Sequence, residues 1–119
     1  MRSHKKLDVY RESLSLVKAV YEATALFPQS ELYGLTNQIR RSAVSVPSNI
    51  AEGAARSGDR EFLKFLFIAR GSLSELETQL TIAKELGFLA EDGDLFRHVE
   101  RVFGLLGGLI RSVQKREAS

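Results

Sequence analysis

The chain has 119 residues, 44% of them hydrophobic, enough for one domain with a substantial core and too few for two independent ones. It contains no Cys, which excludes disulfides and thiolate metal sites and makes the cytoplasm the expected compartment. The formal net charge of +2, from 17 Lys and Arg against 15 Asp and Glu, permits a nucleic-acid partner without demanding one, although a cyclic oligomer would multiply it on one particle.

No export signal is expected, because the basic residues Arg2, Lys5 and Lys6 run straight into Asp8, Arg11 and Glu12 without an apolar segment of signal type. The longest uncharged apolar run, Val102 to Ile110, is about half of the ~20 residues a membrane span needs, so no membrane partner is expected.

The elements can be placed by apolar spacing. Leu7, Tyr10, Leu14, Val17, Tyr21 and Thr24 alternate by three and four residues and stop before Phe27-Pro28, which predicts a first helix over 7–26. Ser30 is a candidate N-cap for a second helix over 31–56, with Leu35, Ile39, Ala43, Val46, Ile50 and Ala54 as its apolar seam. Pro47 lies inside it and leaves the carbonyl of Ala43 without its usual donor, so a kink or local loosening is expected there.

After Ser57-Gly58, Asp59 is the candidate cap of a third helix over 59–86, seamed by Phe62, Leu66, Ala69, Leu73, Leu76, Leu80 and Ala83. Gly87 should close it, with Phe88-Leu89 packing back over its end. A fourth helix over 92–115 repeats the pattern with Leu95, Val99, Val102, Leu106, Leu109 and Val113, widened by Phe96, Phe103 and Ile110, and the charged tail after Gln114 is expected to fray. Four such seams joined by short connections predict an all-α fold, an antiparallel up-and-down four-helix bundle occupying 1–119 as a single domain. The width of the fourth seam, with Gly104, Gly107 and Gly108, points to a subunit interface on that helix.

On the second helix Gln38, Arg41, Ser45, Asn49, Glu52 and Arg56 follow each other by three or four residues and fall in one narrow stripe at about 100° per residue. Ser72, Glu75 and Gln79 form a similar row on the third helix, and the two rows could meet. Three readings stand open. The stripe can be a structural network, in which Arg41 or Arg56 pairs with Glu52 or Glu75 and Asn49 bonds carbonyls loosened by Pro47. It can be a ligand or RNA surface at a subunit boundary. Glu52 and Glu75 could also serve as paired acid and base, although no nucleophile, phosphate loop or metal cluster accompanies them. His4 and His98 lack ligand spacing, and Gly104 to Gly108 lacks the Lys and Ser/Thr of a phosphate loop, so no metal, cofactor or catalytic residue is expected.

Basic residues come in groups: Arg2, Lys5 and Lys6; Arg40 and Arg41; Arg56, Arg60 and Lys64; Arg111, Lys115 and Arg116. The up-and-down topology would bring the two termini to one end and merge the first and last groups into a rim suited to phosphate backbones. The bland alternative is a solvated surface of mixed charge.

The run Phe27-Pro28, Glu31, Tyr33-Gly34-Leu35, Gln38-Ile39-Arg40-Arg41-Ser42, Ser45-Val46-Pro47-Ser48-Asn49-Ile50-Ala51-Glu52-Gly53, then Phe62, Phe65 and Gly71-Ser72-Leu73 with Glu75 and Glu77, resembles the four-helix bundle proteins. These are also called the 23S rRNA-intervening-sequence proteins. The resemblance covers Leu7 to Phe88, and the fourth helix carries no motif of it. It implies a bundle that assembles, as in the best-known members and the related accessory variability determinant of diversity-generating retroelements, into a homopentameric ring. It also implies a connection to RNA, since some members are encoded within insertions in ribosomal RNA genes and the retroelement relative looks like a partner of a reverse transcriptase and its RNA. Carried over by position, the pattern marks Arg40, Arg41, Ser45, Asn49, Glu52, Ser72 and Glu75, which overlap the polar stripe. The expected function is a non-enzymatic homo-oligomer binding RNA, or DNA, through Lys5, Lys6, Arg40, Arg41, Arg56, Arg60, Lys115 and Arg116. The alternative is a structural or adaptor ring for a protein partner.

Overall fold

Apolar residues recurring every three or four positions can be buried together only if the backbone is helical, and the chain follows that requirement almost throughout. A computed structural model describes residues 7–90 and 93–119, and among these it holds four α-helices and no strand. They are α1 (Asp8–Thr24), α2 (Leu35–Ala54), α3 (Asp59–Glu85) and α4 (Asp94–Ala118), with a short 3-10 helix, Gln29–Glu31, between the first two. Each helix packs against its neighbours in sequence, and α1 against α4 closes the circuit around one bundle core.

The seam predicted for α3 is the one buried: Leu66, Ala69, Leu73, Leu76, Leu80 and Ala83 are sealed from solvent and Phe62 is half-buried. In α2, Ile39, Ala43, Val46 and Ile50 are buried as predicted, joined by Thr36, Ser42, Pro47 and Gly53. The seam of α1 is rotated from the predicted one. Val9, Ser13, Leu16, Val20 and Thr24 face the core, whereas Leu14 and Tyr21 are 45% and 43% exposed. Ser13 obscured this face in the sequence, whereas Thr24 belonged to the predicted seam. Both are buried at little cost because Ser13 Oγ donates to the carbonyl of Tyr10 (2.8 Å) and Thr24 Oγ1 to that of Val20 (2.8 Å).

Helix ends differ from expectation in three places. Ser30 does not cap α2: it lies in the 3-10 helix, α2 starts at Leu35, and the Glu31 carboxylate accepts from the Leu35 amide (3.2 Å). Asp59 is the first residue of α3 and caps nothing; Gly58, at φ +91°, makes the turn, and the Asp59 carboxylate holds Arg116 instead. The helix α4 runs on past the predicted limit to Ala118. Gly87 does close α3: at φ +80° its amide reaches the carbonyl of Lys84 (3.0 Å) and the Phe88 amide that of Ala83 (2.9 Å), a Schellman pair. The Phe88 ring then packs on the core beside Phe27, with centroids 5.9 Å apart.

The helix α2 continues unbroken through Pro47. Side chains serve the carbonyls just after that of Ala43: Ser48 Oγ donates to Val44 O (2.7 Å) and Asn49 Nδ2 to Ser45 O (2.8 Å). Near its end α2 comes very close to α3 at Gly53, where a Cβ would stand 2.7 Å from Cβ of Phe65 and 3.0 Å from Cδ1 of Phe62. The wide stripe of α4 is spent inside the chain. Ile110 is buried in place of Leu109, Phe96 and Phe103 pack against the core, and α4 carries none of the large exposed apolar side chains.

Candidate polar network and basic groove

The stripe on α2 and the row on α3 meet. Ser45 Oγ and Ser72 Oγ lie 2.8 Å apart, Asn49 Nδ2 also donates to Ser45 Oγ (2.9 Å), and Ser42 Oγ donates to the Glu75 carboxylate (3.0 Å). Ser42 was not among the predicted residues; it sits one turn before Ser45, on the border between the apolar and polar stripes, which is the signal that could have found it. Each neutral bond of this kind contributes about 0.5–1.5 kcal/mol net, and together they tie the register of α2 to that of α3. Gln79 Oε1 is buried without a partner among the described residues, and Gln38, Arg41, Ser42, Ser72, Glu75 and Gln79 share one groove beside the network.

Of the alternative ion pairs read from the sequence, the one that forms is Arg56 with Glu52, at 2.8 Å, one turn apart on the exposed surface; Glu75 has Ser42 as its partner and no arginine among the described residues. Glu52 does not line the groove that contains Glu75, so the structure does not assemble the two carboxylates as a joint acid and base.

Arg40 and Arg41, adjacent in sequence, have different fates. Arg40 reaches back to α1: Nε donates to Thr24 Oγ1 (2.8 Å), Nη2 approaches the Tyr21 carbonyl (3.4 Å), and the guanidinium lies 4.5 Å from the centroid of the Tyr21 ring. Arg41 is exposed and has no hydrogen-bond or ion-pair partner among the described residues. It lies between the groove of the polar network and a second groove of about 560 Å³, walled by Tyr21, Leu32, Tyr33, Asn37, Arg40, Arg41, Val44 and Ser45. No carboxylate lines this second groove, whereas four other surface grooves each include at least one.

The profile of the 23S rRNA-intervening sequence proteins matches the chain over residues 5–108. The chain belongs to the 23S rRNA-intervening sequence protein family. The match runs beyond the Phe88 limit read from motifs and takes in the first half of α4. None of the curated proteins compared with this family member matches it.

Of the other basic candidates of this 23S rRNA-intervening sequence protein, Arg56 and Arg116 are engaged. Arg56, besides its pair with Glu52, lies 5.1 Å from the Phe65 ring centroid. Arg116 is bound by Asp59 through Nη2 (3.1 Å) and Nε (3.3 Å), which brings the end of α4 against the start of α3 and raises the guanidinium pKa further. Arg60 and Lys115 are exposed near that contact and keep their charges to the solvent. Lys5 and Lys6 lie outside the described residues, and with them the predicted merging of the two terminal groups. Among the described residues no group of His, Cys, Asp and Glu could hold a metal ion, and no helix is long and apolar enough to cross a membrane.

Two further acidic contacts join helices. His98 Nε2 lies 3.3 Å from Glu12 Oε2, within ion-pair distance but not aligned as a hydrogen bond. Between α3 and α4, burial, then the charge of Glu100 and a hydrogen bond that the protonated Glu77 carboxyl donates to it, hold Glu77 above its ordinary range.

Proposed function

We propose that this chain is a non-enzymatic, self-associating antiparallel up-and-down four-helix bundle that binds nucleic acid, RNA foremost, through the exposed Arg41 of α2 and the half-buried Arg40 beside it. The observation that carries this reading is the acid-free groove beside Arg41. Arg56 and Arg116 are offset by Glu52 and Asp59, whereas Arg40 and Arg41 line a groove whose walls include no carboxylate, Glu75 lying in the neighbouring groove that Arg41 also borders. Such a site attracts phosphate backbones without reading bases. The family's name, which refers to intervening sequences of 23S rRNA, makes RNA the first polymer to test. The antiparallel topology is supported by the contacts between helices: Ser42 meets Glu75, Ser45 meets Ser72 and Gly53 meets Phe62, so numbers rise along α2 as they fall along α3.

Self-association draws support from α3 more than from α4. Phe67, Ile68 and Ile82 are exposed on α3, and at about 100° per residue they share a face with Gly71, Ser74, Glu75 and Thr78. A face of this width with a single carboxylate suits contact with further copies, in the ring of five that the family resemblance implies. The same face is what favours the second reading, an adaptor for another protein.

Fluorescence anisotropy with labelled RNA and DNA at about 50 and 200 mM salt, with the mass checked by light scattering, tests both parts. Binding that weakens steeply with salt supports the nucleic-acid reading, and the Arg41→Ala variant is expected to weaken it on all sequences and to lower the salt slope by about 1. No binding at the lower salt would overturn it and leave the adaptor reading.

A further inference from the structure

The acid-free groove has a second property that charge alone does not require: it is aromatic. Tyr33 is 92% exposed, the most exposed of the large apolar side chains, yet the backbone that carries it is held. Gly34 N donates to Glu31 O (3.0 Å), Leu32 N to Gln29 O (3.1 Å), and the Glu31 carboxylate takes the Leu35 amide (3.2 Å), so both sides of Tyr33 are pinned between the 3-10 helix and α2. A pinned backbone with a bare ring costs little conformational entropy when a flat partner settles on it. Arg40 lies over one face of the Tyr21 ring, which also lines the groove, so that Tyr33 is the more open of the two aromatic rings. The same groove is lined by Arg41, a cation, and by Asn37, a donor and acceptor amide. The volume, about 560 Å³, lies within the range of roughly 300–1,000 Å³ typical of sites for small ligands.

From this juxtaposition we infer that the groove takes a single unpaired nucleotide of a strand, its base stacked on Tyr33, its edge beside Asn37 and its phosphate on Arg41. The inference rests on the nucleic-acid reading above and sharpens it from any phosphate backbone to single-stranded nucleic acid. A paired base has both faces covered within the helix and cannot lie on a tyrosine, whereas base-on-aromatic stacking is the common device of single-strand binders. In a duplex, only the phosphate contact of Arg41 would remain.

The test compares wild-type protein with Tyr33→Ala, Tyr33→Phe and Arg41→Ala, using one labelled single-stranded RNA of mixed sequence and the same RNA annealed to its complement. Thermal unfolding and light scattering of each variant are run beside it. Tyr33→Ala is expected to weaken single-strand binding about tenfold and to leave duplex binding unchanged, while Tyr33→Phe retains wild-type affinity because the stacking face is kept. Arg41→Ala should weaken both. Equal loss on duplex and single strand in Tyr33→Ala, or no loss on either, would overturn the inference and leave the backbone-binding reading intact. Displacement of the strand by micromolar nucleoside monophosphate would make the groove a pocket for free nucleotides and also overturn it. A change of mass in Tyr33→Ala would assign the ring to contact between copies, with the same result. If wild-type protein binds neither RNA, the broader reading falls and this one with it.

Discussion

At Gly53 one missing atom sets the distance between two helices. A methyl group there would stand 2.7 Å from Phe65 Cβ and 3.2 Å from the Phe62 carbonyl oxygen, and neither the Cβ nor the backbone oxygen can swing aside. Gly53→Ala is therefore expected to destabilise the chain by about 1–3 kcal/mol despite the better helix propensity of Ala, as read from urea unfolding. Glu77 makes a prediction about pH. Its proton is held more tightly in the folded chain than in the unfolded one, chiefly because the carboxyl is partly buried and also because Glu100 faces it. The stability this contributes is fully present below the ordinary value of 4.5 and is lost as pH rises through the higher folded value. Glu77→Gln, which cannot ionise, should be more stable than wild type near neutral pH, and the difference should shrink on acidification; a constant difference across the titration would contradict this. Most arginines were legible as charges but not as partners. Arg40 and Arg116 are held by residues far away in sequence, Thr24 and Asp59, and no spacing rule joins them.

Among the elements, α3 was the most legible because every residue of its seam is apolar and the period is unbroken from Phe62 to Ala83. The helix α1 was the least legible, since Ser13 belongs to its buried face and satisfies its own hydroxyl locally. A polar residue that needs no outside partner is invisible to a hydrophobic pattern. The ends of α3 depend on two glycines with positive φ, Gly58 and Gly87, the second of which carries the two reversed hydrogen bonds of the cap. Gly87→Ala has open space around it, so its cost is that of the left-handed backbone alone, about 1–2 kcal/mol, and thermal unfolding should register it. A neutral result would mean that the cap yields without disturbing Phe88.

For the whole molecule the open question of contact between copies moves from α4 to α3. The sequence read width on α4 as a second surface, but Ile110 is buried in the chain's own core and Phe103 packs, partly buried, against it. On α3, Ile68 is 44% exposed, so Ile68→Glu should leave the folded bundle within about 0.5 kcal/mol of wild type if the chain stands alone. In a ring built on this face it should lower the mass seen by sedimentation. An unchanged oligomer would place the interface elsewhere.

The helical class, the number of helices, the buried seams of α2 and α3 and the polar rows on both helices were legible in the order of the residues. All of these follow from periods of three and four residues, which are properties of one segment at a time. The sequence also carried the family motifs of α2 and α3. Only the tertiary structure decided which flank of α1 turns inward, that the stripe of α4 is used up inside the chain, and which cations are neutralised. Burial and ion pairing depend on what another helix places opposite, and that is settled by packing. Arg41 and Tyr33 come out of this sorting as residues that the fold does not use: Arg41 meets no carboxylate in the groove beside Tyr33, and no neighbour covers the Tyr33 ring, so both remain available to something outside the chain.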